Sequence, residues 1–212
     1  MKIALIGASG FVGSAILNEA VSRGHHVTAI VRDTSKLALH PQVTAVAVDA
    51  QDPQALAEVL KGHDRVISAY NPGWSAPDIH DQYLKGASAI VEATNAAHSW
   101  LLVVGGAGSL EIAPGVQLVD TPDFPAEWKQ GALAARDGLT ALRRETTLDW
   151  RFVSPPVFLE PGEKRGGYRL GGDQVLFSGD KPAGITVGDL ADAVINEAEQ
   201  PAHLRQRFTL GY

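Results

Sequence analysis

Gly7-Ala8-Ser9-Gly10-Phe11-Val12-Gly13 spaces three glycines as G-x-x-G-x-x-G, directly after the apolar run Lys2–Ile6. A strand that turns sharply into a helix needs residues without Cβ where its backbone approaches a ligand. The helix start then offers free N–H groups and a positive dipole end, which together suit a pyrophosphate. Gly7, Ser9, Gly10, Phe11 and Val12 lie along this turn, and Gly13 would let the helix pack close to the sheet. The second apolar run ends Val31-Arg32-Asp33, with Lys36 close by. In a dinucleotide fold that strand end faces the adenosine ribose, where a carboxylate selects the NAD hydroxyl and an arginine accepts the NADP phosphate. Arg32 comes first and arginine grips phosphate bidentately, which favours NADP(H). NAD(H) stays open because Asp33 has the freedom to turn inward. Asp49, after the third run, is either an adenine contact or a strand-end turn residue.

Such a turn works only when strands and helices hold it. Short β-branched apolar runs fall at Lys2–Ile6, His26–Val31, residues 43–48, 65–69, Trp100–Val104 and residues 150–154. Their continuous apolarity is that of strands covered on both faces. Helical patterns occupy the gaps at residues 11–23, 53–61, 80–97 and 129–145, with Asp52-Pro53 as an N-cap and first-turn proline. Repeated β-α-β-α with short connections predicts an α/β, Rossmann-like doubly wound parallel sheet with helices on both faces. Residues 165–177 predict a hairpin turning at residues 171–173. Thr186 predicts a cap before a helix at 190–199, and residues 207–210 a last strand. The expected organisation is one domain, 1–212, with 158–185 as a small substrate-side appendage.

Composition narrows the chemistry. The chain of 212 residues has 18 Lys+Arg against 24 Asp+Glu, a net charge of −6, which argues against a nucleic-acid partner. It contains no cysteine, so disulfides, thiolate metal sites and thiol catalysis are excluded. No stretch reaches the roughly 18–20 apolar residues of a membrane span, and no secretory signal is evident, so a cytoplasmic location is expected. His25 and His26 are adjacent and point to opposite faces of a strand, and the other five histidines are scattered, so no metal site is expected. A nucleophile elbow, G-x-S-x-G, is absent.

With these residues in place the chain resembles the atypical short-chain dehydrogenase/reductase family. More narrowly, it resembles its NAD(P)H-binding members described as NADH-flavin reductases, close to flavin/biliverdin reductases. The matching pieces are residues 2–13, 27–37 (VTAIVRDTSKL), 101–110 (LLVVGGAGSL), 148–156 (LDWRFVSPP) and 185–191 (ITVGDLA). The resemblance implies that Asn71-Pro72-Gly73-Trp74 and the loop from Gly105 to Ser109 pass the cofactor ribose and nicotinamide. Pro155-Pro156-Val157-Phe158 would border the nicotinamide. Ser109 either hydrogen-bonds the carboxamide or substrate, or is an ordinary turn serine. Lys129 either meets a flavin phosphate or ring edge, or is a solvated first-turn residue.

The chain departs from typical short-chain dehydrogenases in lacking Tyr-x-x-x-Lys: Tyr70 leads to Trp74, Tyr83 to Ala87 and Tyr168 to Gly172. Alcohol oxidation and epimerisation need such a placed acid or base. Hydride transfer to a flavin asks less, since the reacting atoms need only about 3–3.5 Å and alignment, and the proton can come from water. Trp74, Phe124, Trp128 and Phe158 are either core residues or stacking surfaces for such a ring. The resulting expectation is an NADPH-dependent oxidoreductase with catalytic candidates Ser109 and Lys129. It would reduce a diffusible flavin or quinone-like acceptor, flavin being substrate and not tightly bound cofactor, and act as monomer or homodimer. The alternatives are a non-catalytic NADP(H)-binding redox sensor and an epimerase/dehydratase-like enzyme with a displaced catalytic set.

Overall fold

The computed structural model describes all residues, Met1–Tyr212. The first half alternates as expected: β1 (Lys2–Ile6), α1 (Phe11–Ser22), β2 (His26–Val31), β3 (Val43–Ala47), α2 (Pro53–Leu60), β4 (Arg65–Ser68), α3 (Ile79–Ala96) and β5 (Trp100–Val104). A small hairpin, β6 (Glu111–Ala113) with β7 (Val116–Gln117), precedes α4 (Ala126–Leu142) and β8 (Asp149–Ser154). The last quarter holds β9 (Phe158–Glu160), β10 (Arg169–Gly171), β11 (Phe177–Ser178), β12 (Lys181–Pro182), β13 (Gly184–Thr186), α5 (Val187–Glu199) and β14 (Gln206–Gly211).

Eight strands form the main sheet in the order β10-β14-β8-β5-β4-β1-β2-β3. Every neighbouring pair is parallel except β10 with β14. Alternate residues of each strand feed two cores. Ile3, Leu5, Val27 and Leu102 pack under α1 and α5, while Ala4, Ile6, Ile30 and Leu101 pack under α2, α3 and α4. This is the doubly wound architecture, with helices on both faces. The two edges are the exceptions to full coverage: β3 leaves Thr44, Ala45 and Ala47 exposed, and β10 leaves Arg169 and Leu170 exposed.

The hairpin expected at residues 171–173 is not formed. Arg169–Gly171 instead joins the main sheet as its antiparallel edge against β14. The tight hairpin lies further on, Phe177–Ser178 against Lys181–Pro182, with Gly179 at φ 61° in its turn. Asp173 has a different task, since its backbone carbonyl accepts from the Glu111 amide and its carboxylate meets Arg207. No helix is long and apolar enough to cross a membrane.

Candidate functional site

Chain order reverses between β1 and β4, and the crevice above such a switch point is where α/β sheets bind ligands. Gly7 closes it from one side at φ 80°, its N–H donating to the Ile30 carbonyl at 2.9 Å. A Cβ on Gly7 would stand 2.6 Å from the Ala69 oxygen, and one on Gly13 only 2.1 Å from the Gly7 oxygen. Only glycine permits this approach of loop to loop and helix to turn. The first backbone bond of α1 runs from the Ser14 amide to Gly10, so the amides of Phe11, Val12 and Gly13 lack intrahelical partners. Gly10 supplies no capping side chain and the first turn holds no acid. By contrast Asp52 caps α2 through the Gln54 and Ala55 amides, and Thr186 caps α5 through Asp189. The start of α1, with Ser9 and Phe11 exposed beside it, is thus built for an anion from outside.

Beyond β2, Asp33 turns back on its own loop. Its carboxylate accepts from the Ser35 hydroxyl at 2.7 Å and the Ser35 amide at 3.0 Å. These bonds, with Lys36 nearby, hold its pKa below the usual carboxylate range. Arg32 and Lys36 are exposed, and neither forms an ion pair. Asp49 is a turn residue whose carboxylate accepts from the Gln51 amide at 3.0 Å. Sequence reasoning passed over Tyr70, which ties these parts together: its hydroxyl accepts from Gln51 Nε2 at 3.2 Å and donates to the Gln82 carbonyl at 3.0 Å. Burial raises its pKa, and both Asp49 and Arg32 are close enough to act on it.

At the far end of the cleft Asn71 shapes its own loop, accepting from the Gly73 amide at 2.8 Å. Trp74 lies over α4, where a Cβ on Gly131 would come within 2.6 Å of its ring. Gly105 is required because the Phe152 ring fills the space a side chain would take. Pro155 is buried beside these loops. Trp74, Trp128 and Phe158 are each more than half exposed, so three aromatic faces on three different segments stand open to solvent. Lys129, in the first turn of α4, is exposed and in no ion pair.

Ser109 sits apart from that rim. It is buried, and its hydroxyl accepts from Arg207 Nη1 at 3.2 Å. The same nitrogen donates to Ser154 Oγ at 3.3 Å, while Arg207 Nε reaches Asp173 Oδ1 at 2.7 Å. Burial lowers the Arg207 pKa, against the pull of Asp173. Ser109 and Lys129 therefore share no contact: one belongs to a buried polar knot, the other to solvent. Arg207 escaped the sequence reading because its partners lie 34 to 98 positions away. His80 escaped it too. It bridges α3 to α4 through Asp137 at 3.0 Å, and Asp137 and then Asp81 raise its pKa.

The arrangement can hold a dinucleotide along the strand ends, and Trp74, Trp128 and Phe158 are exposed on segments that follow the carboxyl ends of β4, β5 and β8. α4 carries no tyrosine to deliver a proton there. Comparison with known proteins agrees with this geometry. Residues 7–201 match the family model described as NAD(P)H-binding. The protein YwnB of Bacillus subtilis, itself uncharacterized, is 40% identical over 99% of this chain and 98% of its own length. A crystal structure from Streptococcus pneumoniae, described as a candidate NADH-flavin reductase, superposes with a TM-score of 0.89 at 37% identity, covering 100% of this chain and 99% of that one. One from Bacteroides thetaiotaomicron, described as a candidate epimerase, gives 0.93 at 42%, covering 100% and 96%.

Proposed function

This chain belongs to the NAD(P)H-binding family, and from that premise we propose that it is an NADPH-dependent oxidoreductase passing hydride to a flavin or similar conjugated acceptor. The observation that carries the reading is the exposure of Trp74, Trp128 and Phe158 on segments that follow β4, β5 and β8, together with an α4 that carries no tyrosine. A flat ring that takes its proton from water needs stacking surfaces and little else. A sugar or alcohol needs a proton donor at a fixed atom, so the same arrangement serves the epimerase reading poorly.

The bound nicotinamide supplies the hydride; the chain supplies placement. The free amides of Phe11, Val12 and Gly13 receive the pyrophosphate, with Ser9 beside them. Arg32 and Lys36 receive the ribose phosphate. Asp33 is engaged with Ser35 and so does not contest it, which supports NADP(H) over NAD(H). Asn71, Gly105 and Pro155 border the nicotinamide, and segment 158–185 flanks the acceptor side through Phe158. Lys129 meets negative charge on the acceptor. Ser109 acts as a positioning residue, held by Arg207 under the loop that follows β5.

The test is loss of nicotinamide absorbance with FMN, riboflavin and a benzoquinone offered in turn. Turnover with a flavin or quinone is the expected result. Tight NADPH binding with no turnover on any acceptor would make the protein a sensor, and turnover of a sugar nucleotide would establish the epimerase reading.

A further inference from the structure

A second cavity, of about 540 Å³, opens between α3 and α4 on the sheet face away from α1. Neither the glycine turn nor the loops after β5 and β8 contribute to its lining, which meets the cofactor cleft only through Ser68 and Tyr70 at the end of β4, and its volume is that of small-molecule sites. Leu84, Ala87 and Val91 of α3 form one wall at helical spacing, Ala141 of α4 the other, and Val103 and Phe152 of the sheet the floor. The small side chains of Ala87 and Ala141 leave the space between the helices unfilled there.

Two polar groups in this apolar slot have no partner. Tyr83 is 6% exposed, yet its hydroxyl makes no hydrogen bond, and burial pushes its pKa up to about 12. A tyrosine hydroxyl that opens into a cavity without a protein partner donates to an acceptor brought there. Arg144, at the other end, is exposed and in no ion pair. The acids at the mouth are already engaged: Asp137 pairs with His80 and Arg136. Glu145 accepts from the Thr147 hydroxyl and from the Thr147 and Leu148 amides, which pull its pKa down to about 2. Tyr83 stands opposite Gly138, where a Cβ would lie 3.0 Å from its ring. Arg144 lies just past the end of α4, two residues after Leu142.

We propose that this groove binds a small amphiphilic anion. Its flat apolar body lies between a hydroxyl or carbonyl oxygen that accepts from Tyr83 and a carboxylate that meets Arg144. The site is independent of whether the cleft reduces a flavin, and binding is read without cofactor. The probe is 4′-hydroxybiphenyl-4-carboxylate, titrated by calorimetry into the full chain. We expect saturable one-to-one binding, weakened about tenfold by Tyr83→Phe, as for one lost hydrogen bond. Biphenyl-4-carboxylate, lacking the hydroxyl, should bind the wild-type chain as weakly and ignore Tyr83→Phe. Arg144→Ala should cost roughly threefold and flatten the salt dependence. Ala141→Trp, at an exposed position, should fill the slot and abolish binding with unchanged circular dichroism.

No binding at millimolar probe, or binding indifferent to both Tyr83→Phe and Ala141→Trp, would overturn the proposal. So would a dimer in solution that Ala141→Trp converts to monomer, since the groove would then belong to a second copy of the chain.

Discussion

At the β1–α1 turn the Phe11, Val12 and Gly13 amides have no capping side chain, and Arg32 and Lys36 stand without counterions. Along residues 161–168 the Lys164 ammonium, the Tyr168 hydroxyl and the Arg165 and Gly166 amides are instead taken by carboxylates of the protein itself. Asp189 is fully buried and accepts from the Arg165 and Gly166 amides at 3.0 and 2.8 Å and from the Tyr212 hydroxyl at 2.5 Å. Asp192 receives Lys164, Arg23 and the Tyr168 hydroxyl, and Arg23 also reaches Glu19 and Glu199. Groups paired within the protein fix its shape, whereas groups left unpaired mark where a ligand supplies the partner. The contrast says that substitutions in the first region should cost binding and substitutions in the second should cost stability.

The largest effect on binding should come from Gly13→Ala. Its Cβ would fall 2.1 Å from the Gly7 oxygen, so the turn must move, at roughly 3 kcal/mol of strain. Calorimetry should show NADPH binding weakened by about 100-fold or more. Wild-type affinity in this variant would mean that the cofactor does not sit on this turn.

Asp189→Ala makes the opposite test. It strips four donors of a buried acceptor, and should cost about 2–4 kcal/mol of stability, visible as a Tm lower by roughly 5–15 °C. NADPH affinity measured well below that Tm should stay within a few-fold. The pH dependence has a definite sign. Burial alone would raise the Asp189 pKa, but bonds from Tyr212, Gly166, Arg165 and Thr186 more than offset it. Asp192 and Glu199 are likewise held below their ordinary values against burial. Carboxylates with depressed folded-state pKa add stability that is complete above about pH 4–5 and is lost as pH falls through the folded values. Wild-type stability should therefore fall on acidification below about pH 4, and Asp189→Ala should shallow that slope.

Arg32→Ala should divide the two cofactors. NADPH should weaken by about 1.5–3 kcal/mol, the range for bonds to a charged group, while NADH changes little. Equal loss for both would return Asp33 to the ribose and undo the contrast between its engaged carboxylate and its free neighbour.

These regions also differ in how far the amino-acid sequence revealed them. The glycine turn, the strand and helix positions of the first half and the Asp52 and Thr186 caps depend on contacts within a few residues or on simple periodicity, so their signals are local. The last quarter depends on pairs far apart in the chain. Arg169–Gly171 carries a hairpin-like glycine pattern, yet its hydrogen bonds go to β14, 40 positions away. Glycine marks where a chain can bend without saying which strand will receive it. Lys129 and the exposed aromatics were legible as residue types, but their exposure depends on how α4 meets the loop after β4. Tyr83 enters the sequence reading only as a tyrosine without a lysine four residues on, although it is a buried residue of α3. Its unpartnered hydroxyl follows only from the gap that Ala87 and Ala141 leave.

The smallest expected effect belongs to Ser109→Ala, and it tests where the boundary between the two regions runs. The loop after β5 lies at the cofactor end of the sheet, which would class Ser109 with the binding groups. Its hydroxyl nevertheless accepts from a buried arginine that also holds Ser154 and Asp173, which classes it with the structural ones. Arg207 keeps its other acceptors when this one is removed, so the loss should be about 1 kcal/mol of stability, matched by Ser154→Ala. Acceptor reduction should change by less than about threefold in kcat, well below the 10²-fold or more typical of a group at the reacting atoms. Two measurements on one variant decide it. Lost stability with retained turnover places Ser109 in the knot around Arg207. Retained stability with turnover lowered by about 10² would put its hydroxyl on the nicotinamide or acceptor and move the boundary inward by one residue.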